Sequence, residues 1–147
     1  MILNPDFADL FTSFNDNGVR YLVVGGYAVA LHGHPRYNKD IDIWIERTPE
    51  NAERIVRALE AFGFDSLGLS AEDFLVEDQI IQLGYPPHRI DLLTTLPGVE
   101  FDACYASHVA VPLDDPLVVP FIGLDDLRQT KRESGRLQDL ADLENLQ

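Results

Sequence analysis

Apolar residues recur along this chain in two periods, and most segments adopt one or the other. After Asn4-Pro5, the side chains of Phe7, Leu10, Phe11 and Phe14 fall at i, i+3, i+4 and i+7, the stripe of an amphipathic helix that stops at Gly18. Tyr21 to Val24 is a short apolar run ending at Gly25-Gly26, after which Tyr27-Ala28-Val29-Ala30-Leu31 predicts a helix closed by Gly33. From Lys39 to Ile45 the period changes to two, with Asp40, Asp42 and Trp44 on one face of a predicted strand and Ile41, Ile43 and Ile45 on the other. Thr48-Pro49 opens the next helix, which turns Ala52, Ile55, Val56, Leu59 and Phe62 inward and ends at Gly63.

The second half is patterned in shorter pieces. Ser70 to Phe74 reads as a single capped turn, and Gln79 to Leu83 and Arg89 to Leu93 read as two strands of a hairpin joined through Gly84-Tyr85-Pro86-Pro87. Beyond Pro97-Gly98 the pattern predicts a short helix near Phe101 to Ala106 and a strand around Leu117 to Ile122. Helical sequence then runs from Leu124 to the end, broken near Gly135. With 147 residues, 46% of them hydrophobic, the chain is expected to fill one core, giving a single domain over 1–147 with C-terminal helices from about 124.

Charge narrows the range of partners. Eleven basic against 25 acidic residues leave a net charge of −14, which repels nucleic-acid phosphates over most of the surface. Only a small basic spot around Lys131, Arg132 and Arg136 is left for an RNA. The lone Cys104 has no internal disulfide partner, and His32, His34, His88 and His108 lack the cysteines of a zinc site. Met1 to Asp9 carries neither a basic n-region nor an apolar core of signal length, and no window holds the roughly 18 apolar residues of a membrane span. The chain is therefore expected to be cytoplasmic, without a membrane partner.

The candidate chemistry centres on Asp40-Ile41-Asp42. Residues two apart on a strand project from one face about 7 Å apart at their Cα atoms, so the two carboxylates can converge. Asp91, set between Ile90 and Leu92-Leu93, is a third acid inside an apolar strand and can join them from a neighbouring one. Three such charges roughly 5 Å apart would repel by about 3 kcal/mol per pair at an effective dielectric of 20, a cost that a divalent cation offsets. Oxygen-only ligands favour Mg2+ or Mn2+ over zinc. An isolated Asp-x-Asp is more often the wet face of an edge strand, and an isolated Gly-Gly an ordinary tight turn. Gly25-Gly26, however, follows a strand and opens a helix, where bare amides and the helix dipole favour phosphate.

Taken together, Tyr21-Leu22-Val23-Val24-Gly25-Gly26-Tyr27-Ala28, His32-Gly33-His34-Pro35-Arg36 and Lys39-Asp40-Ile41-Asp42-Ile43 resemble the core signature of the DNA polymerase β-like nucleotidyltransferase superfamily. The resemblance is close to its small bacterial branch of minimal and toxin–antitoxin-associated members. Arg89-Ile90-Asp91-Leu92-Leu93 looks like the later strand that brings the third acid, and Lys131 to Leu143 looks like the branch's C-terminal helical pattern. Two positions depart from the family: Gly26 stands where a serine is frequent, and Asn38 where a threonine is.

This resemblance implies an α+β fold, a mixed β-sheet with flanking helices. It implies transfer of a nucleoside monophosphate from an NTP to an acceptor, with Asp40, Asp42 and Asp91 as catalytic residues holding two Mg2+ or Mn2+ ions. Gly25 and Gly26 would orient the β and γ phosphates. Arg36 and Lys131 are further candidates for substrate contact, each weighed against a plain role as surface cation or ion-pair partner, and Arg136 stands in the same position as Lys131. Lys39, on the opposite strand face from Asp40, reads as structural, and Asp139 and Asp142 as caps or pairs on the last helix. The acceptor is left open among a small molecule, a tRNA end and a protein side chain. A different class of role, binding a nucleotide or partner protein without turnover in a toxin–antitoxin pair, or as a homodimer, is also compatible with so short a chain.

Overall fold

The computed structural model describes residues 5–33, 40–63, 68–84, 89–113 and 115–146. Arg36, Asn38 and Lys39, and the Tyr85-Pro86-Pro87 stretch of the hairpin connection, lie outside them.

Pro5 begins the first helix, α1 (Pro5–Asp16), whose Phe7, Leu10, Phe11 and Phe14 are all fully buried, as their spacing predicts. Strand β1 (Tyr21–Val24) runs straight into α2 (Gly25–Leu31). The helix thus starts at Gly25 itself, earlier than the sequence suggests, because Val24 takes the N-cap position with extended backbone. Strand β2 (Ile41–Ile45) alternates as expected, with Ile41, Ile43 and Ile45 fully buried. Helix α3 (Pro49–Phe62) is capped by the Thr48 side chain, which accepts from the Asn51 N–H, and ends at Gly63 in the left-handed region. Its buried stripe runs through Asn51, Ala52, Ile55, Ala58 and Leu59, while Val56 and Phe62 sit at its margin.

Asn51 is buried for a reason that periodicity does not show. It accepts from the Arg20 N–H (2.7 Å) and donates to the carbonyls of Arg20 (3.0 Å) and Glu46 (2.8 Å), tying α3 to the start of β1 and the end of β2.

Ser70 and Asp73 form a reciprocal capping box on a 3-10 turn (Ala71–Phe74). Strands β3 (Ile80–Leu83) and β4 (Ile90–Leu93) pair antiparallel as the expected hairpin. Then come α4 (Phe101–Ala106), β5 (Val109–Pro112), β6 (Val118–Phe121), α5 (Leu124–Ser134) and α6 (Leu137–Asn145). Strand β5 has no counterpart in the sequence reading. It is a mostly exposed edge strand without a buried face, so no period marks it.

The sheet is mixed, in the order β3-β4-β2-β1-β6-β5, and with the helices it makes the α+β architecture that was expected. β1 and β2 are antiparallel, whereas β2–β4 and β1–β6 are parallel. In this register Val24 faces Asp42 and Asp42 faces Asp91, which lines up the end of β1 with one acid on each of two neighbouring strands. Among the described residues no helix is long and apolar enough to cross a membrane.

Candidate active site

Asp42 is held by three strands and a turn. It lies opposite Val24, directly before the glycine turn, and a Cβ placed on Gly25 would come 2.2 Å from Asp42 Oδ2. Gly25 also has a φ of +66°, so the position excludes side chains on both steric and backbone grounds. Gly26 follows it in the first turn of α2.

Asp91, partner of Asp42 in the parallel register, lies within hydrogen-bond reach of it. Burial, followed by the charges of Asp91 and Asp40, raises the Asp42 carboxyl to about 6, while the ammonium of Lys131 works in the opposite direction. Asp40 sits in the bend before β2 and is reached by a residue that motif reading passed over. Arg89 donates its backbone N–H to Asp40 Oδ1 (3.2 Å), places Nη2 3.2 Å from Asp40 Oδ2 and donates Nε to Asp91 Oδ1 (3.1 Å). The signal was present in the sequence: Arg89 stands two residues before Asp91, the same spacing that marks Asp40 and Asp42.

A guanidinium therefore bridges two of the three acids. Among the described residues no three His, Cys, Asp or Glu side chains close on a point where a metal ion would sit. The donor set itself is nonetheless that of a hard cation. It offers carboxylate oxygens only, crowded enough to raise Asp42, with a positive group already drawn to Asp40 and Asp91.

The C-terminal helices cover this side of the sheet. A cavity of about 90 Å3 is lined by Gly25 at the start of α2, by Asp42 from β2 and by Lys131, Ser134, Arg136 and Asp139 from α5, α6 and the turn between them. Lys131 is not the surface cation that its helical context suggests. Its side chain is buried, with Nζ 2.9 Å from Asp139 Oδ1 and 3.0 Å from Asp142 Oδ2, because packing α6 against α5 encloses all three groups. Asp139 and Asp142 do pair on the last helix, across to α5. Burial by itself would raise the Asp139 carboxyl, but hydrogen bonds from Ser134, Arg136 and Lys131 outweigh it and bring it down to about 2. The expected basic spot at Lys131, Arg132 and Arg136 is accordingly no continuous patch: Lys131 is inside and Arg136 is paired with Asp139.

The structure thus brings Gly25, Asp42 and Lys131 to one cavity, with Asp91 opposite Asp42 in the register, Asp40 joined through Arg89, and Gly26 next to Gly25 in α2. Arg36 lies outside the described residues. A wider cleft of about 500 Å3 opens farther along β2, between Trp44, Glu46, Thr94, Leu96, Phe101 and Asp102. Trp44 is buried there against Phe101, edge to face at 5.1 Å.

A mixed sheet that aligns acids from two parallel strands beside a glycine turn defines a class, the polymerase β-like nucleotidyltransferases, and the comparisons with known proteins agree. A protein from Thermotoga maritima assigned as a nucleotidyltransferase shares the fold with a TM-score of 0.60 at 18% identity, over 99% of this chain and 94% of that one. An antigenic nucleotidyltransferase-like protein from Paracoccidioides brasiliensis does so with a TM-score of 0.56 at 14% identity, over 99% of this chain and 76% of that one. No curated protein matches the chain in sequence. Over residues 6–86 it matches the aminoglycoside-2''-adenylyltransferase model, and it belongs to that family. The matched stretch contains the glycine turn, Asp40 and Asp42, while Asp91 and the C-terminal helices lie beyond it.

Proposed function

We propose that this protein transfers a nucleoside monophosphate from an NTP, ATP by family analogy, to an acceptor hydroxyl with release of pyrophosphate. The observation that carries this reading is the parallel register that sets Asp42 against Asp91 directly beside the side-chain-free turn at Gly25. Asp40, Asp42 and Asp91 would hold Mg2+ or Mn2+, which when bound supplies charge neutralisation at the phosphates and a lowered pKa for the acceptor oxygen. Gly25 and Gly26 present backbone amides to the β and γ phosphates, and the missing Cβ at Gly25 keeps the approach to Asp42 open. Asp91, by family analogy the acid nearest the incoming acceptor, would help take the proton of the acceptor hydroxyl.

The cleft beyond Leu96 is the place for the acceptor. It adjoins the cavity at Asp42 through Leu96, which lines both. Glu46, Glu77, Glu100 and Asp102 give it negative charge, which Arg20 and Arg47 meet in part, and Trp44 and Phe101 give it an apolar side. Such a cleft suits a hydroxylated, amine-bearing small molecule, in keeping with the family's name.

The test pairs binding with transfer. In calorimetry ATP is expected to bind with Mg2+ present and not in chelator. With α-labelled ATP and a panel of amino sugars, transfer is expected to fall at least about a hundredfold in Asp42→Asn and in Asp91→Asn. Equal ATP affinity in chelator would overturn the role given to the metal. Label on no acceptor, with ATP still bound, would replace transfer by nucleotide binding without turnover.

A further inference from the structure

The cations around the acids are not equally available. Arg89 is committed to Asp40 and Asp91, and Lys131 to Asp139 and Asp142, whose two carboxylates outnumber its single charge. Arg136 is different. It follows Gly135, whose φ of +65° ends α5, and its own backbone is extended at the N-cap of α6, so the side chain leaves from the turn and lines the cavity shared with Gly25 and Asp42. Only Nε is engaged among the described residues, donating to Asp139 Oδ2 at 2.7 Å, and the side chain is 79% exposed.

We propose that Arg136 binds the phosphate chain of the nucleotide through its two η nitrogens, with Asp139 as the positioning residue that holds the guanidinium by Nε. This rests on the nucleotide-binding reading above. An anchored guanidinium presents a fixed fork of N–H donors matched to phosphate oxygens, at less cost in side-chain freedom than a mobile cation. Asp139 is equipped for this task. It is 4% exposed, kept ionised by Lys131, Ser134 and Arg136, and rigidly placed because Lys131 and Ser134 bond it from α5. Burying Lys131 between two carboxylates has the same effect, since it fixes Asp139 and leaves phosphate recognition to the exposed partner. Arg136 and Asp42 line the same cavity, which puts the guanidinium on the side of the site where a polyanion would have to be neutralised.

The experiment is calorimetry with Mg2+ on the parent, Arg136→Ala and Arg136→Lys, using ATP and inorganic tripolyphosphate as probes. Loss of a charged hydrogen-bond donor should weaken both probes by a similar factor in Arg136→Ala, roughly tenfold to a hundredfold, with Arg136→Lys between it and the parent. Asp139 keeps Lys131 and Ser134 in every variant, so losing the Arg136 contact should lower the melting temperature of Arg136→Ala by a few degrees at most, and the protein stays folded at the temperature of the titration. Parent-like affinity of Arg136→Ala for both probes would overturn the assignment and leave the nucleotide-binding reading standing. A loss for ATP but not for tripolyphosphate, or a parent that binds ATP and not tripolyphosphate, would also overturn it, because the contact would then be to base or ribose. A parent that binds neither probe would overturn both readings.

Discussion

Replacing Asp42 by asparagine should make the metal-free protein more stable at neutral pH. The Asp42 carboxyl is displaced from 3.8 to about 6 by burial and by Asp91 and Asp40. Holding it ionised above that pH costs the folded state up to about 3 kcal/mol. The sign follows from the direction of the shift. A carboxyl raised on folding destabilises at pH above its folded value, and the penalty fades as pH falls from about 6 towards 3.8. Asp139 does not mask this window, because a carboxyl held near 2 keeps its stabilising contribution until the pH falls below about 3.8. Asparagine removes the charge, and its amide can still donate to Asp91, so the contact between β2 and β4 survives. In chelator at pH 7.5 the variant should melt higher than the parent by roughly 5 to 10 °C at most, for a chain of this length. The parent should gain stability between pH 7 and pH 5 while the variant stays flat. Mg2+ at about 100 times its dissociation constant should return about 2.7 kcal/mol to the parent and little to the variant. Calorimetric melts across pH, with chelator and with Mg2+, test all of this. A variant that melts at or below the parent in chelator, with the same pH slope, would show that Asp42 carries no such load.

Two further predictions rest on particular contacts. Gly25→Ala should lower the melting temperature and abolish Mg2+-dependent ATP binding, because its methyl group would occupy the place of Asp42 Oδ2 at a backbone angle that costs about 1 kcal/mol or more; unchanged ATP affinity in calorimetry would contradict the geometry. Lys131→Met should cost about 3–5 kcal/mol in denaturant unfolding by leaving Asp139 and Asp142 buried with their shared cation gone, and adding Asp142→Asn should recover part of it. A single variant that unfolds at the parent's midpoint would mean that the pair does not join α5 to α6.

What the sequence by itself determined is local. Phe7, Leu10, Phe11 and Phe14 mark α1 because a period of 3.6 depends only on neighbours along the chain, and all four are buried as that period requires. The alternation at Ile41, Ile43 and Ile45 likewise assigns the buried face of β2, and so puts Asp42 on the other. The tertiary structure decided what no local pattern carries. That Asp42 faces Asp91 follows from a parallel register between strands far apart in sequence. That Arg89 clamps Asp40 and Asp91 depends on the same pairing, although its spacing from Asp91 hinted at a shared face. Lys131 reads as a solvated cation on α5, and only the docking of α6 encloses it with Asp139 and Asp142. The edge strand β5 left no trace in the hydrophobic pattern because it has no buried face to impose one. Periodicity records which side of an element meets the core, whereas register and burial depend on which distant element arrives there.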